Sequence, residues 1–307
     1  MVTTMAAAWA RRALVGFDKA RWGARTVGWG GVAAGALRLA GLALRRPERV
    51  VVRLRDFDMS LGFAYPAQLV PALVVFRRLI DPEYPFLAAV ARPGWTYVDV
   101  GAAIGQFTIF AASAVGGRVH AFEPSAANLD TLRANVARNG VAEHVAIHRM
   151  ALSNRAGEAE FSTARNPFLS RLDAASPLPA ERVPVDTLSD AVARLGIERV
   201  AVLKINVAGF EPQVLEGARP LLARGGADVL VLLIGRQSYD RYRELAALGY
   251  RFFFFHPGER RLHEVVRFDD ETLVHGRPWP ARHLIGIWGA SVGEVLDGRI
   301  GIARGHR

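Results

Sequence analysis

The sequence predicts a doubly wound α/β fold, with a mostly parallel sheet covered by helices on both faces and a helical extension in front of it. Three observations carry that prediction. Residues 97–124 run strand, glycine turn, helix and strand, and close on an acidic side chain, Glu123. Beyond them, short apolar runs alternate with helical patterns, as crossover connections between parallel strands require. Residues 228–234 are nearly continuous in Val and Leu, the composition of a strand buried on both faces.

Taken in order, residues 1–26 are rich in Ala and Arg, and 27–44 follow with one charge, Arg38, and five glycines. Those 18 residues are at the lower edge of a membrane span, which needs about 20. The stretch reads as a helix lying on a membrane surface, as an ordinary packed helix, or as a span. No small-residue cleavage site marks a signal peptide. Residues 49–57 alternate apolar and charged side chains, the pattern of a strand with one solvent face. Prolines 66, 71, 82, 85 and 93 punctuate a segment with a helical cap over 67–79, and Pro93-Gly94 turns the chain into the first core strand at 97–100.

A helix over 104–114 and a second strand over 119–122 follow. Ser125 is placed to cap a helix through Arg138, which Asn139-Gly140 ends. Residues 145–152 read as a third strand, 157–163 as an added one and 166–179 as a loop. Residues 183–188 enter another helix, 201–207 form a buried strand, and Glu211-Pro212 starts a helix to 223, with proline where a first turn tolerates it. A helix over 239–248 separates the strands at 228–234 and 251–255. Residues 263–266 and 284–288 supply a closing antiparallel hairpin. The chain thus divides into an N-terminal helical segment (1–46), a cap or linker (47–93), a main domain (94–290) and a tail (291–307).

Composition narrows the function. With 51% hydrophobic and 22% charged residues, 307 residues can bury a large core. The chain has no cysteine, which excludes disulfides, thiol nucleophiles and cysteine-ligated metals. Of the formal charge of +10, residues 1–55 carry +9, eleven basic side chains against Asp18 and Glu48, so the remaining 252 residues carry +1. A catalytic domain that tracks a nucleic-acid backbone holds its positive charge in the folded body. This one does not, so no nucleic-acid partner is expected. The basic segment instead suits an anionic membrane surface, which places a cytoplasmic protein at the inner face of a membrane.

The glycine turn defines the ligand. Gly101 and Gly105 bracket the point where the first strand feeds its helix, so a ligand can approach the backbone closely and helix N–H groups face it. Glu123 falls 18 residues after Gly105, close to the offset of about 20 at which a strand-end carboxylate reaches ribose hydroxyls. A dinucleotide fingerprint has glycine where this chain has Ala103, so that a pyrophosphate can sit on the turn. With Asp99 inside the first strand, the pattern predicts a nucleoside pocket.

Five segments in order resemble the FkbM-type methyltransferases. They are Val98-Asp99-Val100-Gly101-Ala102-Ala103-Ile104-Gly105, Ala121-Phe122-Glu123-Pro124, Ala151-Leu152-Ser153-Asn154, Val185-Asp186-Thr187-Leu188, and Leu203 through Glu211. The resemblance spans about residues 95–235. It implies a Rossmann-like class I methyltransferase sheet, S-adenosylmethionine as cofactor, and O-methylation of a small or lipid-linked hydroxylated acceptor such as a sugar. The donor site it implies consists of Asp99, Gly101, Ala102, Gly105, Glu123, Pro124, Met150 and Ala151. Within it Glu123 accepts from the ribose hydroxyls, Asp99 supports the turn, and Met150 and Ala151 flank the adenine.

Where the family's motifs usually read Asn, this chain has Ala103; where they read Lys-Ile-Asp-Val-Glu-Gly, it has Asn206 and Ala208; and where a strand commonly ends on Glu, it has Gly235. Carboxylates expected near the acceptor are therefore neutral, and no metal ligand is assigned. The alternative is a donor-binding but catalytically silent protein serving as an interaction module.

Methyl transfer to a hydroxyl needs positioning and removal of the hydroxyl proton. Lys204 and Asn206, at the end of a core strand, and His256, at the end of the sixth strand, are the candidate catalytic residues. Each has a structural alternative: Lys204 and Asn206 satisfying loop carbonyls, His256 an exposed loop histidine. Glu211 either addresses the acceptor or complements a helix dipole, and His148 reads as a core residue.

Overall fold

The computed structural model describes residues 2–63, 69–77, 79, 81–162, 171–172, 180–278 and 281–303. Most of the loop expected over 166–179 and part of the cap expected over 67–79 lie outside the described residues. The chain opens with α1 (Val2–Arg45), a long helix broken at Gly28, whose φ of 72° and ψ of 162° leave the helical region. A hairpin follows, β1 (Arg49–Arg53) and β2 (Asp58–Gly62). The burial of β1 alternates strictly, its arginines out and its valines in, as its sequence requires. Two short helices, α2 (Leu69–Phe76) and α3 (Glu83–Val90), complete the cap. The sequence reading had neither β2 nor α3; α3 contains Pro85 in its first turn, where a missing N–H is tolerated.

The body is a nine-stranded sheet. Its parallel half comprises β3 (Thr96–Val100), β4 (Arg118–Phe122), β5 (Val145–His148), β10 (Val200–Ile205) and β11 (Ala227–Leu233). Four further strands, β12 (Tyr250–His256), β13 (Arg261–Val265), β14 (His283–Trp288) and β15 (Gly301–Ala303), extend it in the order β15-β13-β12-β14-β11-β10-β3-β4-β5. The expected hairpin of the last two apolar runs does not form, because β13 and β14 lie on opposite sides of β12 and both pair with it antiparallel. Those two runs are separated by enough chain, including the turn at Glu271–His275, to cross from one side of β12 to the other. Residues 291–303, read as part of a tail, fold into α10 (Val292–Leu296) and the edge strand β15.

Helices α4 (Gln106–Ile109), α5 (Ala126–Arg138), α6 (Leu188–Arg194), α7 (Glu211–Gly217), α8 (Arg219–Ala223) and α9 (Tyr239–Leu248) cover the sheet. All six residues of β10 are buried. The side chains of the central strands alternate between two apolar clusters, with Tyr97, Val202 and Val229 in one and Val98, Leu203 and Leu230 in the other. The four phenylalanines of β12 divide in the same way, Phe252 and Phe254 to one face and Phe253 and Phe255 to the other.

A second sheet, in the order β6-β9-β7-β8, combines β6 (Ala151–Ser153), β7 (Gly157–Ser162), β8 (Arg171–Leu172) and β9 (Ala180–Thr187). The single strand expected over 145–152 is therefore two, parted at Arg149 and Met150 and belonging to different sheets. The segment expected to enter a helix at 183–188 is mostly β9, and the helix begins only after Thr187, whose hydroxyl accepts from the Asp190 amide.

Asn135, fully buried on α5, ties the cap to the body. Its side chain accepts from the Ser60 amide at 2.7 Å and donates to the carbonyls of Ser60 and Ile104 at 2.9 Å each. The cap hairpin is thereby fixed to the loop that follows β3. At the other end of the cap, α1 crosses α2 with almost no space between backbones: a Cβ at Gly35 would lie 2.5 Å from the Val75 carbonyl oxygen.

Candidate active site

The order of the parallel strands reverses between β3 and β10, the connections leading away on opposite sides. Ligands of open α/β sheets bind outside the carboxyl ends of strands at such a switch point. Asp99, Gly101, Glu123, Lys204 and Asn206 all fall at or beside that edge, as their positions in the sequence predict.

The turn after β3 is closed by its own amides. Gly101 and Ala102 donate to the Phe122 carbonyl at 3.0 and 3.1 Å, Ala103 donates to Glu123 Oε2 at 2.8 Å, and Gly105 donates to the Ala102 carbonyl. The expectation that turn amides face a ligand is thus corrected for these four, which are engaged inside the protein. A pyrophosphate would find none of them, whereas an uncharged nucleoside needs only close approach. What the glycine at 101 allows is packing of the chain on itself: a Cβ there, where φ is +77°, would lie 2.1 Å from the Asn206 carbonyl oxygen. Ala103 takes φ 48°, a left-handed conformation unusual for a residue with a side chain.

Glu123 is 4% exposed. Besides Ala103, it accepts from the Ser125 amide at 2.9 Å and the Asn128 side chain at 3.2 Å, both on Oε1. Burial raises its pKa above the ordinary glutamate value, and the donors from Ser125, Asn128 and Ala103 only partly offset this. A carboxylate offers about four acceptor positions, so with three donors in place about one remains for a ligand hydroxyl. Pro124 is buried beside it, and Met150 and Ala151 follow the end of β5, with the Met150 amide held by the His148 carbonyl at 3.0 Å.

Asp99 has no exposed surface and accepts from the Thr108 hydroxyl and from Lys204 Nζ, each at 2.7 Å. Lys204 also donates to the Gly101 carbonyl at 2.9 Å, and its ammonium lies 5.9 Å from the centre of the Phe107 ring. Lys204, expected as a catalytic group, is therefore built as a strut that joins β10, the acid in β3 and the glycine turn. Glu211 has a similar bracing part, accepting from the Val207 amide at 2.9 Å and from Gln237 at 3.3 Å.

The structure does not bring His256 to this group. It stands at the same edge of the sheet but three strand positions beyond β10, about 14 Å at ordinary strand spacing. There its Nδ1 accepts from the Glu259 amide at 3.1 Å and holds the turn into β13.

Two residues that carried no motif do reach the edge. His283 opens β14, paired in register with Leu233 at the end of β11, and its side chain is 10% exposed. Its Nε2 lies 3.4 Å from the Asn206 side-chain amide, and its Nδ1 lies 2.8 Å from Oε1 of Glu83, the first residue of α3. Burial works to raise the Glu83 carboxyl, but His283 beside it, with help from a backbone amide and Arg282, holds it below the usual value. No signal in the sequence pairs a cap residue with one 200 positions later. Tyr84 also lines this end of α3, accepting from Gln106 Nε2 at 3.1 Å.

Comparison with known proteins agrees with this geometry. The model of the methyltransferase FkbM domain matches residues 99–252, half of the chain. A curated relative, the 31-O-demethyl-FK506 methyltransferase FkbM of Streptomyces tacrolimicus, is 34% identical over 158 residues, covering 41% of this chain and 60% of that protein. The chain thus matches less than two thirds of that relative's length. Among solved structures, a TehB-like SAM-dependent methyltransferase from Corynebacterium glutamicum aligns with a TM-score of 0.38 at 15% identity, over 72% of this chain and 94% of that one. TYW2 of Pyrococcus horikoshii in complex with MeSAdo aligns with a TM-score of 0.38 at 14% identity, over 78% and 70%. With the match to its domain spanning the glycine turn, the switch point and β10 to β12, the chain belongs to the FkbM methyltransferase family, with S-adenosylmethionine as its cofactor.

Proposed function

We propose that the protein is an S-adenosylmethionine-dependent O-methyltransferase acting on a hydroxyl of a small or lipid-linked acceptor such as a sugar. The observation that carries the reading is the buried carboxylate of Glu123 at the end of β4, at the switch point of the sheet and bonded to the glycine turn, whose four amides described above are engaged. The name of the Streptomyces relative, a methyltransferase of an O-demethyl compound, supports a hydroxyl as the acceptor.

When bound, the cofactor supplies a methyl group on a positively charged sulfur. The chain's part is to hold it. Glu123 accepts from the ribose hydroxyls through the acceptor position its three protein donors leave, a charge-assisted contact in a buried site. Met150 and Ala151 flank the adenine. Asp99, through Lys204 and Thr108, fixes the turn against which the donor lies. The groups beyond β10, Asn206 first, face the acceptor.

Titration with S-adenosylhomocysteine tests donor binding, and tritiated methyl transfer into fractions of cell extract tests the reaction. Binding without any transfer above a boiled-enzyme control would support the silent interaction module instead, for which the neutral Asn206, Ala208 and Gly235 argue.

We also propose that α1 contacts an anionic membrane surface. Over Val27–Arg45 the helix has a mean hydropathy of 1.4 and only 6% of it is buried, with Trp29, Leu37 and Leu44 exposed. Gly35 against Val75, with Leu39 and Leu42 packed on the core, supports a helix that is partly seated and partly free. Attraction of a basic segment to anionic lipid is about 1 kcal/mol per engaged Lys or Arg and falls with salt. Co-sedimentation with anionic liposomes at low and moderate salt tests it. Removal of residues 1–46 abolishes binding if the surface reading holds, and no binding of the full chain even at low salt rejects it.

A further inference from the structure

His120 and His148 stand side by side on β4 and β5, at the edge of the sheet, and neither the motifs nor the crevice accounts for them. His148 is paired in register with Phe122, so it shares a face of the sheet with Phe122 and with His120 two residues before it. Both histidines are half-buried. His120 Nδ1 lies 3.2 Å from His148 Nε2, while the ring centres are 5.4 Å apart and the planes differ by 6°. Nitrogens this much closer than the ring centres place the imidazoles edge to edge in nearly one plane. The contact is therefore an N–H···N hydrogen bond, in which one ring donates its proton to the lone pair of the other. Phe122 packs on His148 from the side, the ring centres 4.6 Å apart.

The donor site hangs from this pair. The His148 carbonyl accepts from two amides, that of Glu123 at 3.1 Å and that of Met150 at 3.0 Å. These are the residues read above as holding the ribose and flanking the adenine, so one carbonyl sets the position of both. Any shift of the His148 backbone moves the two contacts together.

The bond lasts only while one of the facing nitrogens keeps its lone pair. A first proton taken up from solvent goes to an outer nitrogen and leaves the bond in place, whereas a second takes the shared lone pair and ends it. Burial disfavours the charged form of both rings, and for His148 the charge of His120 adds to this, so both titrate below the ordinary value of 6.5. No carboxylate or guanidinium acts on either ring. Arg118 and His144 share the face but stand at the entry ends of the strands, and Arg149, next to His148, is paired with Glu181 at 3.0 Å. The Glu123 carboxylate is taken by Ala103, Ser125 and Asn128. Helices α6 and α7 cover this face, and their acids are engaged as well: Asp186 and Asp190 near the start of α6 with Arg194 and Thr187, Glu211 and Glu216 of α7 with Val207 and Arg241.

We propose that His120 and His148 are positioning residues of the donor site: their shared proton holds the His148 carbonyl under Glu123 and Met150, and in acid the pair separates and the donor is released. The proposal rests on the reading of Glu123 and Met150 as the ribose and adenine contacts. By reciprocity, bound donor keeps the pair in its neutral form.

Calorimetric titration with S-adenosylhomocysteine at about pH 7.5, 6.5 and 5.5, a range in which histidine changes charge, tests this. The parent is expected to lose about tenfold in affinity from the first to the last. His120→Leu removes the bond and is expected to bind about fivefold more weakly than the parent at neutral pH, with little further loss in acid. His120→Asn puts an amide where the Nδ1 edge stood, able to donate to His148 Nε2 or, flipped, to accept from it. It is expected to restore binding at neutral pH and to keep it in acid. Parent affinity that stays level across the range overturns the proposal. So does an acid loss in His120→Asn equal to that of the parent, which assigns the loss to Glu123 and leaves the donor reading standing. No binding by the folded parent at any pH overturns the donor reading along with the proposal. Where the variants do not fold, ring 15N spectra of the parent decide. Bound S-adenosylhomocysteine is expected to lower the pH at which both rings titrate, and rings that titrate alike with and without it overturn the proposal.

Discussion

The two halves of the crevice are built differently. On the donor side, Asp99 to Gly105 lie in one strand–helix–strand unit that Glu123 to Asn128 close, and the Asp99 and Glu123 carboxylates are met by groups of those stretches, by Thr108 and by Lys204. On the other side, Glu83, Asn206 and His283 come from the cap, the end of β10 and the start of β14. Binding a fixed nucleoside asks for a rigid local frame, which one supersecondary unit provides. Acceptor chemistry varies from one methyltransferase to another, and residues drawn from separate elements can change without disturbing that frame.

If the donor half is a single braced unit, removing its central strut should have the largest effect. Lys204→Ala leaves the Asp99 carboxylate buried without its cation. Breaking one partner of a buried pair destabilises by about 3–5 kcal/mol. Denaturant unfolding should show a loss of that size, with donor binding lost as well. A variant that keeps its stability and loses only transfer would move Lys204 from the frame to the chemistry.

A smaller effect separates binding from folding at Glu123. Burial raises its pKa, so as the pH falls the native state takes up this proton before the unfolded chain does. The ionised carboxylate therefore counts against the fold above its native pKa, and that penalty is relieved between the native pKa and the unfolded value of 4.5. Ribose binding, which needs the ionised form, weakens over the same window. Glu123→Gln should remove both trends and reduce S-adenosylhomocysteine affinity by roughly tenfold or more, given about 1.5–3 kcal/mol for hydrogen bonds to a charged group. Calorimetric titration across pH, paired with thermal melts, checks the opposed signs.

The smallest effect concerns Ala103. Its left-handed φ costs about 1–2 kcal/mol for a residue with a Cβ, while glycine there brings an entropic cost of about 0.5–1 kcal/mol. Ala103→Gly should come out more stable by about 0.5 kcal/mol with donor binding unchanged, read as a small rise in the unfolding midpoint.

The same contrast explains what could be read in advance. The donor half was legible because its signals are local: two glycines, a strand-end acid and the Val/Leu strands β10 and β11. The α5 cap at Ser125 and the α9 boundaries follow from the same kind of local rule. Pairing between distant strands was not legible. Residues 263–266 and 284–288 have equal claims to pair with each other or with β12, and only the tertiary fold decides. Lys204 stood at the predicted edge, but its burial against Asp99 depends on the register of β10 on β3, in which the two residues are direct neighbours. His283 and Glu83 carried no spacing signal, since a helix in the cap and an antiparallel strand near the C-terminus must both be placed before they can meet.

A crystal structure with S-adenosylhomocysteine bound tests the division of the crevice most directly. The account predicts ribose hydroxyls within about 3 Å of the Glu123 carboxylate, adenine beside Met150 and Ala151, and the sulfur on the β10 side of the glycine turn, facing Asn206 and His283. A ligand lying the other way, with its sulfur over β5 and nothing on Glu123, would contradict it.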